Sequence, residues 1–419
     1  MQHPFLDRED TEISEVLRGE EKRQHEGLEL IPSENYVSEA VLEAMGSVFT
    51  NKYAEGYVGN RYYGGQSYTD AVETLAKERA QKLFGAQFAN VQPHAGAPAN
   101  IATYLALLEM GDTVMGMDLS HGGHLTHGHP VTVATKMFNF VRYKMKNVDT
   151  GEIDYEEMRA LAKETKPKMI LAGFSAYPRE LDYEQFVSIA REVGAYAVAD
   201  ISHIAGLVAG GVLKNPFDYG FDVITTTTHK TLRGPRGGMI LTRENEEIAK
   251  KVDKMVFPGF QGGPLMNMIA AKAVCFGEAL HPSFKTYATQ VVKNAKAMAR
   301  VCNDAGLRLI TGGTDNHLIL ADVTPLGLSG KEAQELLDEV GLTVNKNVIP
   351  DDTRKPMDPS GIRFGTPAIT TRGFTEEDAR ALAESIVDVL HKREEALPRA
   401  KEKVRALASA HPVPHSFVE

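Results

Sequence analysis

The chain has 419 residues, and its 46 Lys and Arg against 56 Asp and Glu give a formal net charge of −10. A chain of this length is too large for one ordinary hydrophobic core, so we expect about two or three domains. The acidic balance argues against a nucleic-acid-binding protein that works through a broad basic surface. Two cysteines cannot build a disulfide framework. The composition therefore predicts a soluble, multi-domain protein of a reducing, cytoplasmic compartment.

The N-terminal segment is charged within its first ten residues and has no apolar core, so it does not have the pattern of a signal peptide. No apolar run approaches the roughly 20 residues that a membrane-spanning helix needs, so we expect no membrane partner. Residues 1–28 stay charged and mixed, which predicts an arm or a short helix there and not a core element.

Between residues 85 and 245, short apolar runs rich in β-branched residues alternate with helix-like stretches. One of these helices begins after Asp154, a good N-cap, and another ends at Gly194, a good C-cap. Such alternation indicates crossover connections and a mainly parallel sheet, in which ligands bind at the carboxyl ends of the strands. The predicted strands are Phe88–Gln92, Thr113–Asp118, Met169–Ser175, Ala195–Asp200, Phe221–Thr227 and Gly238–Thr242.

After about residue 285 the pattern becomes that of a smaller α+β unit, in which Ser329 and Glu332 form a capping-box signature. We therefore predict an α/β chain with an N-terminal arm at 1–28, a large domain at 29–284 and a small domain at 285–419. The elements predicted here are a helix over Phe284–Asp304, strands at Leu307–Ile310 and Leu318–Val323, a final helix from Thr375 to about His391, and an irregular tail.

Lys230 follows a strand that ends in a run of threonines, and a glycine-rich turn follows the lysine. A lysine in a polar cleft at the end of a strand is a candidate Schiff-base amine, although a lone lysine is far more often a solvated surface residue. Asp200 ends an earlier apolar strand and can face the same cleft, although it could equally be a helix cap. Pyridoxal 5′-phosphate (PLP) needs both groups, a lysine to hold its aldehyde and a carboxylate to keep its pyridinium nitrogen protonated.

The segment Pro93–Asn100 lies between a predicted strand and an apolar helix and is rich in small residues. Backbone N–H groups at such a helix N-terminus can bind an anion. The signal is weak alone, because many strand–helix turns are rich in Gly and Ala. We find no Walker A motif and no GxGxxG motif.

Four histidines stand close together at His121, His124, His127 and His129 and suggest a metal site. The glycine-rich stretch around them shows no helical register, and no Cys or carboxylate joins them locally. We therefore predict no metal site and favour an imidazole that lies on a cofactor ring.

Longer motifs carry a resemblance to a known family. They are Leu30–Asn35, Thr50–Gly56, Arg61–Gly65, His121–Gly128, Ser175–Arg179, Asp200–Gly206, Thr225–Lys230, Phe257–Pro264, Val344–Asn347 and Ser360–Arg363. With them the chain resembles the serine hydroxymethyltransferases, PLP-dependent enzymes of fold type I (aspartate-aminotransferase-like). The resemblance runs from about residue 28 to residue 373. It implies a large domain with a mainly parallel central sheet and a smaller α+β C-terminal domain.

The resemblance implies a role for each matching residue at the cofactor. Lys230 would hold PLP covalently as an aldimine, Asp200 would pair with the pyridinium nitrogen and His124 would stack on the ring. The implied catalytic set is Lys230, Glu55, His124, Asp200, Thr227 and His229. The implied cofactor-binding set is Tyr53, Ala95, Gly96, Ala97, His124, Ser175, Asp200, His203, Lys230, Gly262 and Gly263.

The resemblance also implies sites for serine or glycine and for tetrahydrofolate. Arg363 would bind the substrate carboxylate, because its planar fork suits bidentate binding. The other implied substrate residues are Ser33, Tyr63 and His203. The implied folate contacts are Glu55, Tyr62, Leu119, Gly123, His124, Leu125 and Asn347. Tyr53, Glu55, Tyr63, Gly262 and Gly263 would come from a neighbouring subunit, which implies a homodimer with shared sites, with a tetramer also possible.

The chain departs from the family pattern at several positions. Ala95 stands where members usually have Ser, and the loss of one neutral hydrogen bond, about 0.5–1.5 kcal/mol, predicts weaker cofactor binding. Ser202 replaces a usual Ala, and we expect little effect. Arg354–Pro359 differs from a loop that approaches folate in the family.

The implied activity is reversible transfer of the serine hydroxymethyl carbon to tetrahydrofolate, giving glycine and 5,10-methylenetetrahydrofolate, with Glu55 as acid/base. A folate-independent threonine or serine aldolase stays open, given the altered 354–359 loop. A non-catalytic scaffold is disfavoured by the intact residues Lys230, Asp200, His124 and Arg363. A cysteine desulfurase needs a mobile nucleophilic cysteine, and both Cys275 and Cys302 lie in helix-like stretches.

Overall fold

The computed structural model describes residues 4–418 and is built around a seven-stranded sheet. Gly238–Thr242 runs antiparallel to both of its neighbours, and all other pairs in this sheet are parallel. The prediction of a mainly parallel sheet is therefore confirmed. Across the sheet the strands are Phe88–Asn90, Gly238–Thr242, Val223–Thr227, Tyr196–Asp200, Met169–Gly173, Thr113–Met117 and Asn139–Tyr143.

All six strands predicted for this sheet are present, and three of them end one or two residues earlier than expected because the chain turns into a loop. The strand Asn139–Tyr143 was missed. It is an edge strand in which only Tyr143 is buried, so its polar and half-exposed residues gave no continuous apolar run.

Apolar side chains cover both faces of this sheet. Adjacent residues such as Val223 and Ile224 belong to different core clusters, because successive strand residues point to opposite faces. Asp154 caps its helix by accepting a hydrogen bond from the N–H of Glu157, and Gly194 ends its helix with φ 69°, both as predicted. The helices before residue 280 are Pro4–Glu9, Thr11–Glu26, Glu39–Met45, Ser67–Phe84, Gly96–Leu107, Ala134–Met137, Tyr155–Thr165, Tyr183–Val193, Ala205–Ala209, Glu246–Lys254 and Met266–Ala279.

A second, antiparallel sheet follows, with its own apolar core. The predicted capping box of Ser329 and Glu332 is present. The strands of this second sheet, in order across it, are Arg308–Leu309, Leu318–Asp322, Gly361–Gly365 and Asn345–Asn347. The helices of this region are Pro282–Asp304, Gly330–Glu339, Pro367–Thr371, Glu376–Lys392 and Leu397–Ala410.

The prediction that the helix ending near His391 is the last one was wrong, because Leu397–Ala410 follows it. The residues that this helix buries are Ala400, Val404 and Ala408. Its apolar face is made mostly of alanine, which gives a weak periodic signal among the charged residues.

The N-terminal helices bury only Ser14 among their described residues, in line with an arm. The next strand, Leu28–Glu29, pairs in parallel with Leu342–Thr343, and Leu28 and Leu30 lie in the core of the second sheet. The exact domain boundaries stay a prediction. Within residues 4–418, no helix combines the length and the apolarity needed to cross a membrane.

Candidate active site

A cavity of about 840 Å³ opens where the central strands end. Lys230 and Asp200 both line it, although they lie on separate segments of the chain. The predicted site residues that line the cavity are Ser33, Ala95, Gly96, Ala97, Leu119, Gly123, His124, Leu125, Ser175, Asp200, His203, Thr227, His229, Lys230, Asn347 and Arg363.

Lys230 is 8% exposed, on the turn that follows the strand Val223–Thr227. Its carbonyl accepts a hydrogen bond from Nδ2 of Asn35, which fixes the turn. Burial lowers the pKa of Lys230 to about 8, although the charge of Asp200 partly offsets this effect. The amine is therefore closer to its neutral, nucleophilic form than an exposed lysine would be.

Asp200 ends the strand Tyr196–Asp200 and is buried. Its Oδ2 accepts a hydrogen bond from Nδ2 of Asn100 at 2.8 Å and lies 3.1 Å from Nε2 of His127. Burial acts to raise the pKa of Asp200, but the hydrogen bond and the charge of His127, with Asn100, lower it well below its usual range. The carboxylate therefore stays ionised and can face a protonated ring nitrogen.

His124 lines the cavity, and its Nδ1 accepts a hydrogen bond from the N–H of Thr126. Burial, with the neighbouring His127, lowers the pKa of His124 to about 4, so its ring is neutral near pH 7. Because Nδ1 is the acceptor, the proton of the neutral ring lies on Nε2.

The helix Gly96–Leu107 begins at the cavity, and its N-cap residue Ala95 makes no side-chain capping bond. A Cβ at Gly96 would lie 2.7 Å from Cγ2 of Thr227, so this close approach requires glycine. Arg236 also lines the cavity. An uncapped helix N-terminus and a guanidinium in one cavity suit a phosphate group.

Arg363 lies on the strand Gly361–Gly365 of the second sheet. Its Nε donates to Oδ1 of Asn345 at 3.1 Å, and its Nη1 donates to the carbonyl of Ser175. Burial lowers the pKa of Arg363 to about 10, which leaves the side chain charged. A guanidinium group held in this orientation can bind a substrate carboxylate.

His203 and His317 stack, with His203 Nδ1 3.2 Å from His317 Nε2. Burial lowers the pKa of both rings, that of His317 to about 3, so both are neutral. Burial also lowers the pKa of His229 to about 3, with Arg236 as the next cause. Nδ1 of His229 and Oγ of Ser175 are buried and find no hydrogen-bond partner among residues 4–418, so both can bind a ligand group.

The remaining predicted site residues form a second cluster that does not line this cavity. The rings of Tyr53 and Tyr63 meet edge to face at 5.3 Å, and a Cβ at Gly263 would lie 3.0 Å from the Tyr53 ring. The tyrosines of this cluster are strongly exposed for aromatic residues: Tyr53 is 56% exposed and Tyr62 is 73% exposed. The members of the second cluster are Tyr53, Glu55, Tyr62, Tyr63, Gly262 and Gly263.

The structure adds residues that sequence reasoning missed. Asn100 holds Asp200, and it also bonds the hydroxyls of Thr126 and Thr225. Ser202, expected to matter little, accepts a hydrogen bond from the N–H of Thr227 at 3.0 Å. The other additional residues at the cavity are Glu34, Ala176, Arg236, Lys346, Val348 and Pro356. Arg236 stood in the glycine-rich turn after the lysine, and that position was a usable signal.

The sequence argument against a metal was incomplete, because the fold brings Asp200 to His124 and His127. The candidate ligand atoms of these three residues lie within 4.8 Å of one another. In the structure Asp200 already contacts His127 and Asn100 through hydrogen bonds, and Nδ1 of His124 contacts Thr126.

A sequence model of the family described as serine hydroxymethyltransferase matches residues 6–386. The chain belongs to the serine hydroxymethyltransferase family. Serine hydroxymethyltransferases are PLP-dependent glycine hydroxymethyltransferases of one-carbon metabolism and have fold type I. The mainly parallel sheet of this chain agrees with that fold.

The residues at the cavity fit PLP, the cofactor that the serine hydroxymethyltransferase family implies. The buried amine of Lys230 suits the aldehyde, and the ionised Asp200 suits the ring nitrogen. The uncapped helix at Gly96 suits the phosphate, and the unpartnered Oγ of Ser175 offers a further polar contact.

Proposed function

We propose that this serine hydroxymethyltransferase transfers the hydroxymethyl carbon of serine to tetrahydrofolate, with PLP held by Lys230. The observation that carries this proposal is the convergence of three groups on one cavity: the amine of Lys230, the carboxylate of Asp200 and the guanidinium of Arg363. When bound, PLP supplies an electron sink for the bond that breaks. The protein supplies binding, orientation and proton transfer.

The charge of each cavity residue would decide its role in binding and orienting the cofactor and the substrate. Arg363 binds the substrate carboxylate, since Asn345 and Ser175 fix its fork. Asp200 keeps its negative charge at the ring nitrogen because His127 and Asn100 stabilise the ionised form. His124 presents a neutral ring at the cavity and can lie on the cofactor without adding charge.

We place the acid/base on Glu55, from the second cluster. Glu55 lies in the segment before the exposed Tyr62 and Tyr63, and it does not line the cavity of its own chain. A neighbouring copy would bring this cluster to the cavity, and the exposed aromatic side chains would be buried in the same contact. The proposed assembly is therefore at least a homodimer with shared sites.

A folate-independent serine or threonine aldolase remains the second candidate, and one observation favours it. The loop Arg354–Pro359 is braced by contacts of the Arg354 guanidinium with Asp358, and Met357 is 74% exposed. Pro356 of the same loop lines the cavity. The side chains that this loop offers near the cavity are therefore those of its own sequence, which differs from the sequence that the resemblance implies for a folate-contacting loop.

One assay separates these functions. Glycine release from serine is measured with PLP, with and without tetrahydrofolate, beside the Lys230→Ala variant. Release that depends on both tetrahydrofolate and Lys230 supports the proposal. Equal release without tetrahydrofolate identifies the aldolase, and no release in either condition refutes both activities.

A further inference from the structure

Lys272 is a buried lysine that lies outside the cavity. It sits in the helix Met266–Ala279, and only 2% of the residue is exposed. No sequence motif pointed to it. A fully buried lysine is rare unless its charge is satisfied, so its surroundings need an explanation.

Nζ of Lys272 donates three hydrogen bonds to backbone carbonyls, to Val91 at 2.7 Å, Gly238 at 2.8 Å and Pro93 at 3.0 Å. Burial lowers the pKa of Lys272 to about 7, but the three carbonyl acceptors match the three N–H groups of an ammonium and favour the charged form. Glu73, whose charge also acts on Lys272, is itself ion-paired with Arg61.

The three carbonyls belong to the segments that build the phosphate end of the cavity. Val91 and Pro93 lie between the strand Phe88–Asn90 and the helix that begins at Gly96. The N–H of Gly238 donates to the carbonyl of Pro93, so both segments are also joined directly.

There is little free space around this junction. A Cβ at Gly238 would lie 2.4 Å from the carbonyl oxygen of Ala95, and a Cβ at Gly237 would lie 2.4 Å from Cε of Lys272. The carbonyl of Gly237 accepts from the N–H of Thr228, two residues before Lys230. Lys272 therefore ties the start of the phosphate helix to the segment that carries the cofactor lysine.

We propose that Lys272 is a positioning residue for the phosphate of the cofactor. Its ammonium fixes the backbone of residues 91–95 so that the N–H groups of Gly96 and Ala97 face the cavity, and it places a positive charge behind them. This inference rests on the proposed binding of PLP, and it concerns only the phosphate end of the ligand.

The test compares two ligands that differ only in the phosphate. Dissociation constants for PLP and for pyridoxal are measured on the apoprotein with wild type and Lys272→Met. The variant is expected to bind PLP about tenfold or more weakly and pyridoxal nearly as well as wild type does. A merely structural residue would weaken both ligands equally, and that result, or unchanged affinity for both, would overturn the inference.

A second variant keeps the test decisive if Lys272→Met does not fold. Gly237→Ala pushes a methyl group onto Cε of Lys272 and displaces the ammonium without removing it. We expect the same phosphate-selective loss, and equal weakening of both ligands would again count against the inference.

Lys250→Met is the matched control, because the side chain of Lys250 is 73% exposed and forms an ion pair with Glu246 on the protein surface. It should leave both affinities unchanged. A wild-type protein that binds neither PLP nor pyridoxal would refute the proposed function itself. Failure of the proposed function can thus be told apart from failure of the role proposed for Lys272.

Discussion

Asn100 and Asp200 are joined by a 2.8 Å hydrogen bond, although they lie far apart in the chain. Nδ2 of Asn100 also donates a hydrogen bond to the hydroxyl of Thr126, and Oδ1 of Asn100 accepts one from the hydroxyl of Thr225. The carboxylate of Asp200 is thus part of a buried network that reaches the loop of His124 and the neighbouring strand.

Replacing Asn100 by Ala should destabilise the apoprotein. The change leaves buried partners without hydrogen bonds, which costs about 1–3 kcal/mol. Urea unfolding measures this loss, and Asn303→Ala is the control, because the exposed side chain of Asn303 donates a hydrogen bond to the carbonyl of Gly312. Equal effects of the two variants would show that the network adds no stability.

Cofactor uptake should depend on pH through Lys230. Because burial lowers its pKa to about 8, only about one tenth of the amine is neutral at pH 7, and most is neutral above pH 9. The rate at which the apoprotein takes up PLP should therefore rise with pH and level off above about pH 9. Absorbance after rapid mixing measures this rate, and a rise that continues towards pH 10 would refute the shift.

Restoring Ser at position 95 should strengthen cofactor binding. Ala95 is the N-cap of the helix Gly96–Leu107, which we propose binds the phosphate, and it makes no side-chain capping bond. A serine hydroxyl there can cap the helix or reach the phosphate, and an N-cap serine adds about 0.5–2 kcal/mol relative to alanine. Ala95→Ser should raise either the melting temperature of the apoprotein or the affinity for PLP, and a variant that raises neither contradicts this account.

Glu55→Gln should keep the cofactor absorbance and lose serine cleavage that depends on tetrahydrofolate. The amide keeps the shape of the side chain but cannot transfer a proton. Cleavage at the wild-type rate would remove Glu55 from the acid/base role.

Sharing of sites predicts complementation between two inactive variants. Co-expressed Glu55→Gln and Lys230→Ala chains form mixed dimers in which one site combines an intact Lys230 with an intact Glu55 from the other chain. Activity should reappear in the mixture, measured beside each variant alone. An inactive mixture that still contains mixed dimers would place both groups in one chain.

Local sequence patterns predicted the sheet, Lys230 and Asp200, whereas most of the other site residues were inferred from the family resemblance. All residues of the strand Val223–Thr227 are β-branched, and both Asp200 and Lys230 stand at or just after the end of such a strand. Asn100 and Lys272 could not be found in this way, because their roles depend on contacts between distant segments. The strand Asn139–Tyr143 was lost for a different reason, namely that an edge strand keeps exposed polar residues.

The pairing of the strand Tyr196–Asp200 with Val223–Thr227 sets Asp200 opposite Thr225. A slip of one residue would turn Asp200 to the other face of the sheet, away from the amine of Lys230. The colour of bound cofactor would therefore report correct strand register during refolding, in a chain that has no tryptophan to serve as an intrinsic probe.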